Sequence, residues 1–304
     1  MLRPLRSLAD PAELGSAVSA AYGLEVTGCV LLRTLVNDVY RIDTPAGAYA
    51  LKLYGPAHAG DVAWEVRLAG HVAAGGVDIA RGVPLADGRP AGELAMPEGP
   101  RPYSLWEWAP GGHAPRPYDD DLYHRFGMAI ARFHATADGM AAAPRAADPS
   151  AQLAEVLAQL DEPDRSLLAS LMAAASRHLA SVGPRLDRGI CHGDVTLDNA
   201  HLDGARFVLY DLDRAGENWR AWDLLGVAAT PHWPAFLAGY RTVRPMADLD
   251  VAAMPWLDVL LRVEYLHFHL VRKPAYRGTD SLREGWVEQN LKALRAAAPT
   301  LLSH

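Results

Sequence analysis

A short polar segment that lies between two strand-like segments constrains this chain more than any other feature. The segment carries two aspartates and an asparagine, and a second acidic segment follows it: His192-Gly193-Asp194-Val195-Thr196-Leu197-Asp198-Asn199 and Tyr210-Asp211-Leu212-Asp213. Asp and Asn are also common in surface turns, which is the alternative interpretation of this composition. The apolar segments at 189–191 and 205–210 argue against a plain surface turn, because a motif gains weight from its predicted structural context.

The spacing inside the first segment points to a particular chemistry. Asp194 and Asn199 are separated by four residues, as in the kinase catalytic loop H-R-D-x-x-x-x-N. In phosphoryl transfer from ATP, an aspartate holds the acceptor hydroxyl, while a carboxamide and a second carboxylate hold magnesium over the phosphates. On these residues the chain resembles the aminoglycoside phosphotransferase and choline-kinase-like family, whose members are small-molecule relatives of the protein kinases.

The resemblance implies a fold and a set of roles. The implied fold is α+β and bilobal, protein-kinase-like, with a small antiparallel-sheet N-terminal lobe and a mostly helical C-terminal lobe. Asp194 would orient the acceptor hydroxyl and accept its proton, and Asn199 and Asp211 would bind magnesium. ATP and Mg2+ are the implied cofactors. His192 is expected to pack and to bond the backbone of the loop.

The N-terminal part of the chain has the pattern of a small sheet. Strand-like segments at 26–32, 39–43 and 48–54 alternate with turn-prone residues and predict an antiparallel meander. We expect five strands and one main helix before about residue 106. The third strand places Lys52 among large apolar neighbours, where a buried ammonium group needs a partner. On the residues alone, a lysine that protects an edge strand from aggregation is the alternative.

A candidate partner for this lysine lies on the helical pattern at 62–73, where Glu65 shares a face with apolar residues. Taken alone, Glu65 would be a solvated helix charge. The arrangement is similar to that of kinases, in which a strand lysine binds the phosphates and pairs with a helix glutamate. By that resemblance Lys52 binds the phosphates and Glu65 orients it. We expect their charged atoms within about 4 Å in the nucleotide-bound state, since lobe closure can depend on the ligand.

The turn between the first two strands departs from the kinase pattern. Protein kinases cover the phosphates with a glycine-rich loop, whereas residues 34–38 contain no glycine. Members of the resembled family often carry Ser or Asn there. Asn37 is therefore the candidate phosphate contact, and the sequence leaves open which other groups of this turn meet the phosphates.

A strand-like segment at 101–108 is broken by Ala109-Pro110-Gly111-Gly112. In the resembled family such a strand leads into the linker between lobes, where main-chain groups meet the adenine. Trp106, Glu107 and Trp108 are the predicted hinge, although two tryptophans also suit core packing. The predicted domains are accordingly 1–106, which binds the nucleotide, and 107–304, which carries the catalytic loop and binds the acceptor, with a hinge at about 106–110.

Helical periodicity dominates the chain after the hinge. The segment at 119–136 places apolar residues at three- and four-residue spacings, and acidic residues at its start suit the helix dipole. A linker is predicted at 139–149, and two alanine-rich helices at 151–160 and 163–182 form an insertion where family members build the acceptor pocket. Further apolar helical segments are predicted at 236–240, 252–271 and 286–294.

Composition excludes several partners. The formal charge of −7 argues against nucleic acid or an anionic membrane, and no apolar segment reaches the ~18 residues of a membrane span. Two cysteines give neither a disulfide framework nor a zinc site, so a reducing cytoplasm is the simplest setting. The chain could be a monomer or a homodimer, since the sequence does not distinguish these states.

Two features favour a small hydroxyl compound as the acceptor. Gly193 stands where protein kinases have the arginine that reads a phosphorylated activation loop. Only eleven residues, 212–222, separate Asp211 from Asp223, too few for a long peptide-docking segment. Antibiotics such as aminoglycosides, amino alcohols, sugars and biosynthetic intermediates all remain open. A Ser/Thr protein kinase is the alternative, because residues 260–273 also resemble a bacterial stress-response kinase; a nucleotide-binding pseudokinase is a third possibility.

Overall fold

The computed structural model describes the whole chain except residues 1, 3, 56, 57, 59, 141–143, 145–147 and 304. Six residues of the linker predicted at 139–149 therefore lie outside the described part. The chain divides into two compact units. The first comprises Met1–Pro144, Gly189–Glu217 and Thr230–Arg244, and the second comprises Arg145–Arg188, Asn218–Ala229 and Pro245–His304. The division into lobes near Trp108 is a different one and stays a prediction.

Helices and strands alternate in the first part of the chain. They are α1 (Pro11–Tyr22), β1 (Gly28–Thr34), β2 (Asp38–Thr44), β3 (Gly47–Leu53), α2 (Val62–Ala74), β4 (Gly82–Val83), β5 (Gly92–Met96), β6 (Gly99–Glu107) and α3 (Asp120–Ala137).

Helices then predominate. The remaining elements are α4 (Leu153–Gln159), α5 (Asp164–Val182), β7 (Arg188–Cys191), β8 (Ala200–Asp203), β9 (Arg206–Leu209), β10 (Gly216–Trp219), α6 (Arg220–Asp223), α7 (Leu225–Ala228), α8 (Trp233–Val243), α9 (Asp248–His267), α10 (Lys273–Arg277) and α11 (Trp286–Leu301). The predicted mixture of an N-terminal antiparallel sheet and a helical remainder is confirmed.

Over the residues that the structure describes, the N-terminal sheet has six strands, all antiparallel, in the order β1-β2-β3-β6-β4, with β5 also paired to β6. The expected number of five was therefore wrong. β4 has only two residues, which is too short for the alternation of apolar and polar residues that identifies a strand.

The expectation of one main helix in this region was also wrong, because α1 precedes the sheet. Asp10 caps α1 by accepting hydrogen bonds from the main-chain N–H groups of Ala12 and Glu13, and Gly23 ends it in a left-handed conformation (φ 67°). The buried residues Leu14, Val18 and Tyr22 recur every four positions and so share one face of the helix. That face packs against Leu85, which follows β4, and against buried side chains of the sheet: Tyr40, Ile42, Leu51, Leu53, Tyr103 and Leu105.

Two glycines let α3 and α8 approach each other within the first unit. A Cβ at residue 127 would lie 2.1 Å from the carbonyl oxygen of Phe236, and a Cβ at residue 239 would lie 1.9 Å from that of His124. Real Cβ atoms do not come so close to main-chain oxygens, so glycine is required at both crossings. The rings of Phe126 and Phe236 then meet edge to face, with centroids 5.7 Å apart.

The second unit is built from helices, as its periodicity predicts. The two predicted helices at 151–160 and 163–182 correspond to α4 and α5. α5 packs on α9, and the ring of His178 stacks on Trp256 with centroids 4.6 Å apart. Arg295 of α11 binds both carboxylate oxygens of Asp164 at 2.7–2.8 Å, which ties the last helix to the start of α5.

Among the described residues, no helix combines the length and the apolar character that spanning a bilayer requires. In the described part of the chain, neither Cys29 nor Cys191 forms a disulfide.

Candidate active site

Lys52 occupies the middle of the sheet. β3 lies between β2 and β6, where Lys52 pairs in register with Val39 on one side and Ser104 on the other. Because side chains alternate along a strand, Leu51 and Leu53 enter the core under α1 while Lys52 points to the opposite face. The edge-strand interpretation of this lysine is therefore excluded.

The ammonium group of Lys52 is buried between two carboxylates. It forms an ion pair with Asp211, and its Nζ lies 3.3 Å from Oδ2 of Asp213. Burial alone would lower the pKa of Lys52, but Asp213 and Asp211 outweigh it and hold this pKa well above its usual value. Lys52 is thus positively charged, and its charge compensates the acidic groups around it.

Glu65 has other partners in this structure. It accepts a hydrogen bond from the hydroxyl of Tyr54 at 2.7 Å, and Nε2 of His58 lies 3.2 Å from its Oε1. Among the described residues, the ion pairs of Lys52 run only to the two aspartates. Tyr54 nevertheless joins the two predicted residues, since its ring also lies 5.4 Å from Nζ of Lys52. The direct Lys52–Glu65 contact expected with nucleotide bound stays a prediction.

The loop after β7 positions Asp194 through a glycine. Gly193 has a φ of 86°, which suits glycine and strains other residues. A Cβ at this position would lie 2.0 Å from the carbonyl oxygen of Arg214. The close approach of the two segments is the structural reason why this position, an arginine in protein kinases, is a glycine here.

The structure brings Asp194 and Asn199 together. The amide nitrogen of Asn199 donates to Oδ2 of Asp194 at 2.8 Å and to the Asp194 carbonyl at 3.0 Å. His192 is buried and shares a hydrogen bond of 3.0 Å with the carbonyl of Tyr210. The expected packing of His192 is confirmed, but this hydrogen bond goes to the main chain of the residue before Asp211 and so joins the loop to the segment after β9.

Asp211 follows β9 in an unusual backbone conformation. Its φ of 71° makes it the one non-glycine residue with positive φ in the described part of the chain. Such conformations cost energy and concentrate at functional sites. Leu209, two residues earlier, is fixed by main-chain hydrogen bonds with Asp78 at 3.0 Å and Ala80 at 2.9 Å. The segment at 78–80 thus fixes the chain two residues before Asp211.

Asp211 and Asp213 differ in the direction of their pKa shifts. Burial raises the pKa of Asp211, but Lys52 and Arg33 outweigh it and bring this pKa down to about 2. For Asp213, burial dominates and leaves the pKa raised. Lys52 and Arg33 thus keep the Asp211 carboxylate ionised, so it can bind a cation.

Asp213 was expected only at the acidic mouth of the cleft, and the sequence did not predict its contacts with Asn37 and Lys52. The amide nitrogen of Asn37 donates to Oδ2 of Asp213 at 2.7 Å, while Oδ1 of Asn37 accepts from the N–H of Gly55 at 2.9 Å. Asn37 therefore links the turn after β1 to the acidic segment and to the end of β3. The only signal available in the sequence was the acidic pair Asp211 and Asp213, and the left-handed backbone at Asp211 means that the alternation of an extended strand does not apply to it.

The turn is also fixed at its far end. Asp38 and Arg101 are both fully buried and form an ion pair of 2.7 Å. Arg101 donates further hydrogen bonds to the carbonyls of Tyr54 at 2.7 Å and Leu53 at 3.1 Å. The start of β2 and the end of β3 are thereby held at one buried guanidinium, next to Asn37.

The predicted hinge residues lie at the end of β6. Trp106 pairs in register with Ala50 and Gly82, and its indole nitrogen donates to Ser104 Oγ at 2.7 Å. Glu107 forms a two-point ion pair with Arg81 at 2.7–2.9 Å. Trp108 is 36% exposed, with the Arg41 guanidinium 5.1 Å from its ring centroid. Contact of these residues with adenine stays a prediction.

The donor set fits magnesium, which prefers oxygen ligands. Asp211 offers a carboxylate. The side-chain hydrogen bonds of Asn199 to described residues all start at its amide nitrogen, which leaves its amide oxygen for a metal. The main-chain carbonyl of Asn199 also accepts from the N–H of Tyr210 at 3.1 Å, so Asn199 is bonded to the neighbour of Asp211.

The chain is similar in sequence to known proteins over most of its length. An uncharacterised protein of Deinococcus radiodurans is 35% identical over 315 aligned positions, which cover 95% of this chain and 90% of that protein. The homoserine kinase of Allorhizobium ampelinum is 28% identical over 282 positions, which cover 86% of this chain and 81% of that enzyme.

The fold is shared with a solved phosphotransferase. The structure of amicoumacin kinase in complex with AMP-PNP, Ca2+ and Ami superposes with a TM-score of 0.71 at 17% identity, over 94% of this chain and 93% of that one. This likeness confirms the predicted protein-kinase-like fold. The model of the phosphotransferase enzyme family matches residues 31–254. The chain therefore belongs to this family and is a phosphotransferase that acts on a hydroxyl group.

Proposed function

We propose that this enzyme transfers the γ-phosphate of ATP, with Mg2+, to a hydroxyl group of a small molecule. The observation that carries the proposal is the convergence of Lys52, Asp194, Asn199 and Asp211 within one compact unit. Phosphoryl transfer passes through a loose transition state, so positioning and charge neutralisation supply most of the catalysis. This set of side chains offers both.

Asp194 is the residue that orients the acceptor hydroxyl and takes its proton. The amide nitrogen of Asn199 donates a hydrogen bond to Oδ2 of Asp194. Among the described residues, Oδ1 of Asp194 has no hydrogen-bond partner, so it is available to a substrate hydroxyl. A base must lie within hydrogen-bonding reach of the proton it removes, and a carboxylate fixed on one oxygen by Asn199 has a defined direction for the other.

Asn199 and Asp211 are the residues that would hold magnesium. When bound, the metal supplies a positive charge that neutralises the phosphate oxygens as the bond to the leaving group breaks. Lys52 adds a second positive charge from the sheet side. Asp213 would keep Lys52 and Asn37 in place, since it contacts both. Asn37 itself would bring the turn after β1 to the phosphates, and Glu65 would orient Lys52 when the nucleotide binds.

The end of β6 would receive the adenine. The register of Trp106 between β3 and β4 fixes the strand, and Glu107 and Trp108 follow at its open end. In this interpretation their main-chain groups meet the adenine edge. The indole of Trp108, partly exposed, would then lie at the mouth of the nucleotide site.

The acceptor that the comparisons favour is a small amino alcohol. The A. ampelinum relative, similar over 86% of this chain, is named homoserine kinase, and homoserine carries an amino group and a primary hydroxyl. The structural neighbour is named amicoumacin kinase, so an antibiotic acceptor also stays within the proposal. The glycine at 193, packed on Arg214, leaves no arginine there to read a phosphorylated loop.

A screen for ADP release tests the proposal. Enzyme, ATP and Mg2+ are incubated with homoserine, other amino alcohols, aminoglycosides, peptide antibiotics and sugars in parallel. We expect at least one compound to raise ADP release above the rate with water alone. The matched control is Asp194→Asn, which should bind ATP as the parent does but lose about two to four orders of magnitude in turnover.

Three outcomes would contradict parts of the account. Nucleotide binding without ADP release for any acceptor, including proteins, would favour a pseudokinase. Phosphorylation of proteins alone would favour the Ser/Thr kinase alternative. An Asp194→Asn enzyme with more than about a tenth of the parent activity would remove Asp194 from the mechanism.

A further inference from the structure

Arg33 is placed beside the metal-binding aspartate by an irregularity in β1. The register of β1 against β2 is continuous from Gly28 to Leu31 and shifts between Leu31 and Arg33. An extra residue in one strand bends it and redirects the side chains that follow. Arg33 is the next residue to pair, opposite Val39, and the turn that covers the site begins just after it.

The guanidinium of Arg33 reaches the site although its residue is distant in the sequence. Its Nη2 lies 3.2 Å from Oδ2 of Asp211, while Lys52 binds Oδ1 of the same carboxylate. The side chain of Arg33 is 62% exposed, in contrast to Lys52, which is 9% exposed. Lys52 thus contacts Asp211 from the buried face of the sheet, and Arg33 contacts it from the solvent side of the turn.

The exposure of Arg33 decides how firmly it is held. Exposed ion pairs contribute little stability, because water screens them and a long side chain loses freedom when it is fixed. Arg33 can therefore leave Asp211 at small cost when a stronger partner arrives. A phosphate group is such a partner, since the planar guanidinium can donate two parallel hydrogen bonds to it.

The composition of the turn indicates why Arg33 would be needed at the phosphates. Residues 34–38 contain no glycine, so the turn lacks the flexible backbone with which a glycine-rich loop surrounds phosphates. The side chain of Asn37 is occupied on both ends by Gly55 and Asp213. Arg33 is the exposed cation of this turn region that contacts Asp211.

We propose that Arg33 is a phosphate-binding residue of this enzyme: its guanidinium leaves Asp211 and binds the terminal phosphates of ATP. This assignment rests on the proposed ATP-dependent activity. The proposed contact is with the terminal phosphates of the nucleotide. AMP lacks those phosphates, so its binding should not depend on Arg33.

Calorimetric binding of AMP-PNP, ADP and AMP with Mg2+ tests the assignment. For Arg33→Ala we expect an affinity for AMP-PNP about ten- to a hundredfold lower than in the parent, the range for a hydrogen bond to a charged group. Affinity for AMP should stay within about threefold of the parent. Arg33→Lys should recover part of the loss, since it restores the charge but not the two-point geometry.

Arg89→Ala is the matched control. Arg89 is an equally exposed arginine of the same unit, 2.8 Å from Asp87, and it lies outside the site. Its removal should change none of the three affinities. Thermal unfolding of each variant establishes that the chain is folded before binding is measured.

The outcomes separate this inference from the proposed function. If the parent enzyme binds neither AMP-PNP nor ADP, the proposed function fails. If the parent binds both and Arg33→Ala binds them equally well, only the role of Arg33 is overturned. An equal loss of affinity for AMP-PNP and AMP would show that Arg33 merely supports the fold of the site, which also overturns the inference.

Discussion

The most constrained single residue of the site is Asp211. Its left-handed backbone costs on the order of 1–3 kcal/mol for a residue other than glycine. The carboxylate is nonetheless held in place by the buried Lys52, Arg33 contacts its other oxygen, and its lowered pKa of about 2 keeps it ionised. This ionised carboxylate is consistent with the role proposed for Asp211 as a magnesium ligand.

Replacing this carboxylate should uncouple nucleotide binding from magnesium. Asp211→Asn keeps a residue that tolerates the left-handed conformation and removes the charge. Substitution of residues that only support a metal ligand already costs about 10–100-fold in metal affinity, so we expect at least a hundredfold weaker effect of Mg2+ on ATP affinity. Calorimetry with and without Mg2+ measures this. Asp203→Asn, at a partly exposed aspartate paired with Arg206, is the control.

If Asp211→Asn showed the same Mg2+ dependence as the parent, the metal would have to be held elsewhere. In that case Asp213, the other carboxylate next to Lys52, would be the first residue to test.

Helix packing provides a test at the scale of elements. α3 and α8 meet at Gly127 and Gly239, where any Cβ would overlap a main-chain oxygen of the facing helix. Gly239→Ala should therefore lower the free energy of unfolding by about 1–3 kcal/mol, the usual cost of overpacking. Urea unfolding measures the difference.

The same substitution on another helix serves as the control. Gly70 lies in α2 with nothing within 4 Å of the position its Cβ would take. Gly70→Ala should be neutral or stabilise by up to about 1 kcal/mol, because alanine is the better helix former. Equal effects of the two substitutions would show that helix propensity, and not the α3–α8 crossing, determines the result.

Several elements could be predicted because they carry a clear periodic pattern. β3, expected at 48–54, spans Gly47–Leu53, and α5, expected at 163–182, spans Asp164–Val182. α1 was overlooked although Asp10, Pro11 and Gly23 mark its ends. β4 could not be predicted, since two residues carry no periodic signal.

At the scale of the whole molecule, the predicted residues of the site came from one motif and its family resemblance. The contacts between segments that are distant in the sequence could not be predicted from that motif or from the resemblance. Asn37 and Asp213 are 176 positions apart, and Arg33 and Asp211 are 178 apart. No local pattern specifies such contacts, because they depend on how the sheet and the loop after β9 are placed against each other. Lys52 shows the same limit: its burial was predicted, but its partners in this structure are aspartates.

Transfer of the γ-phosphate of ATP to a small hydroxyl compound, the function proposed for this enzyme, can be followed with a label. The most direct measurement uses γ-labelled ATP with Mg2+ and two separated fractions of a cell extract, metabolites and denatured proteins, with Asp194→Asn enzyme in parallel. We expect label in the metabolite fraction with the parent enzyme, and none above background with Asp194→Asn. Label in the protein fraction alone, with no labelled metabolite, would contradict it.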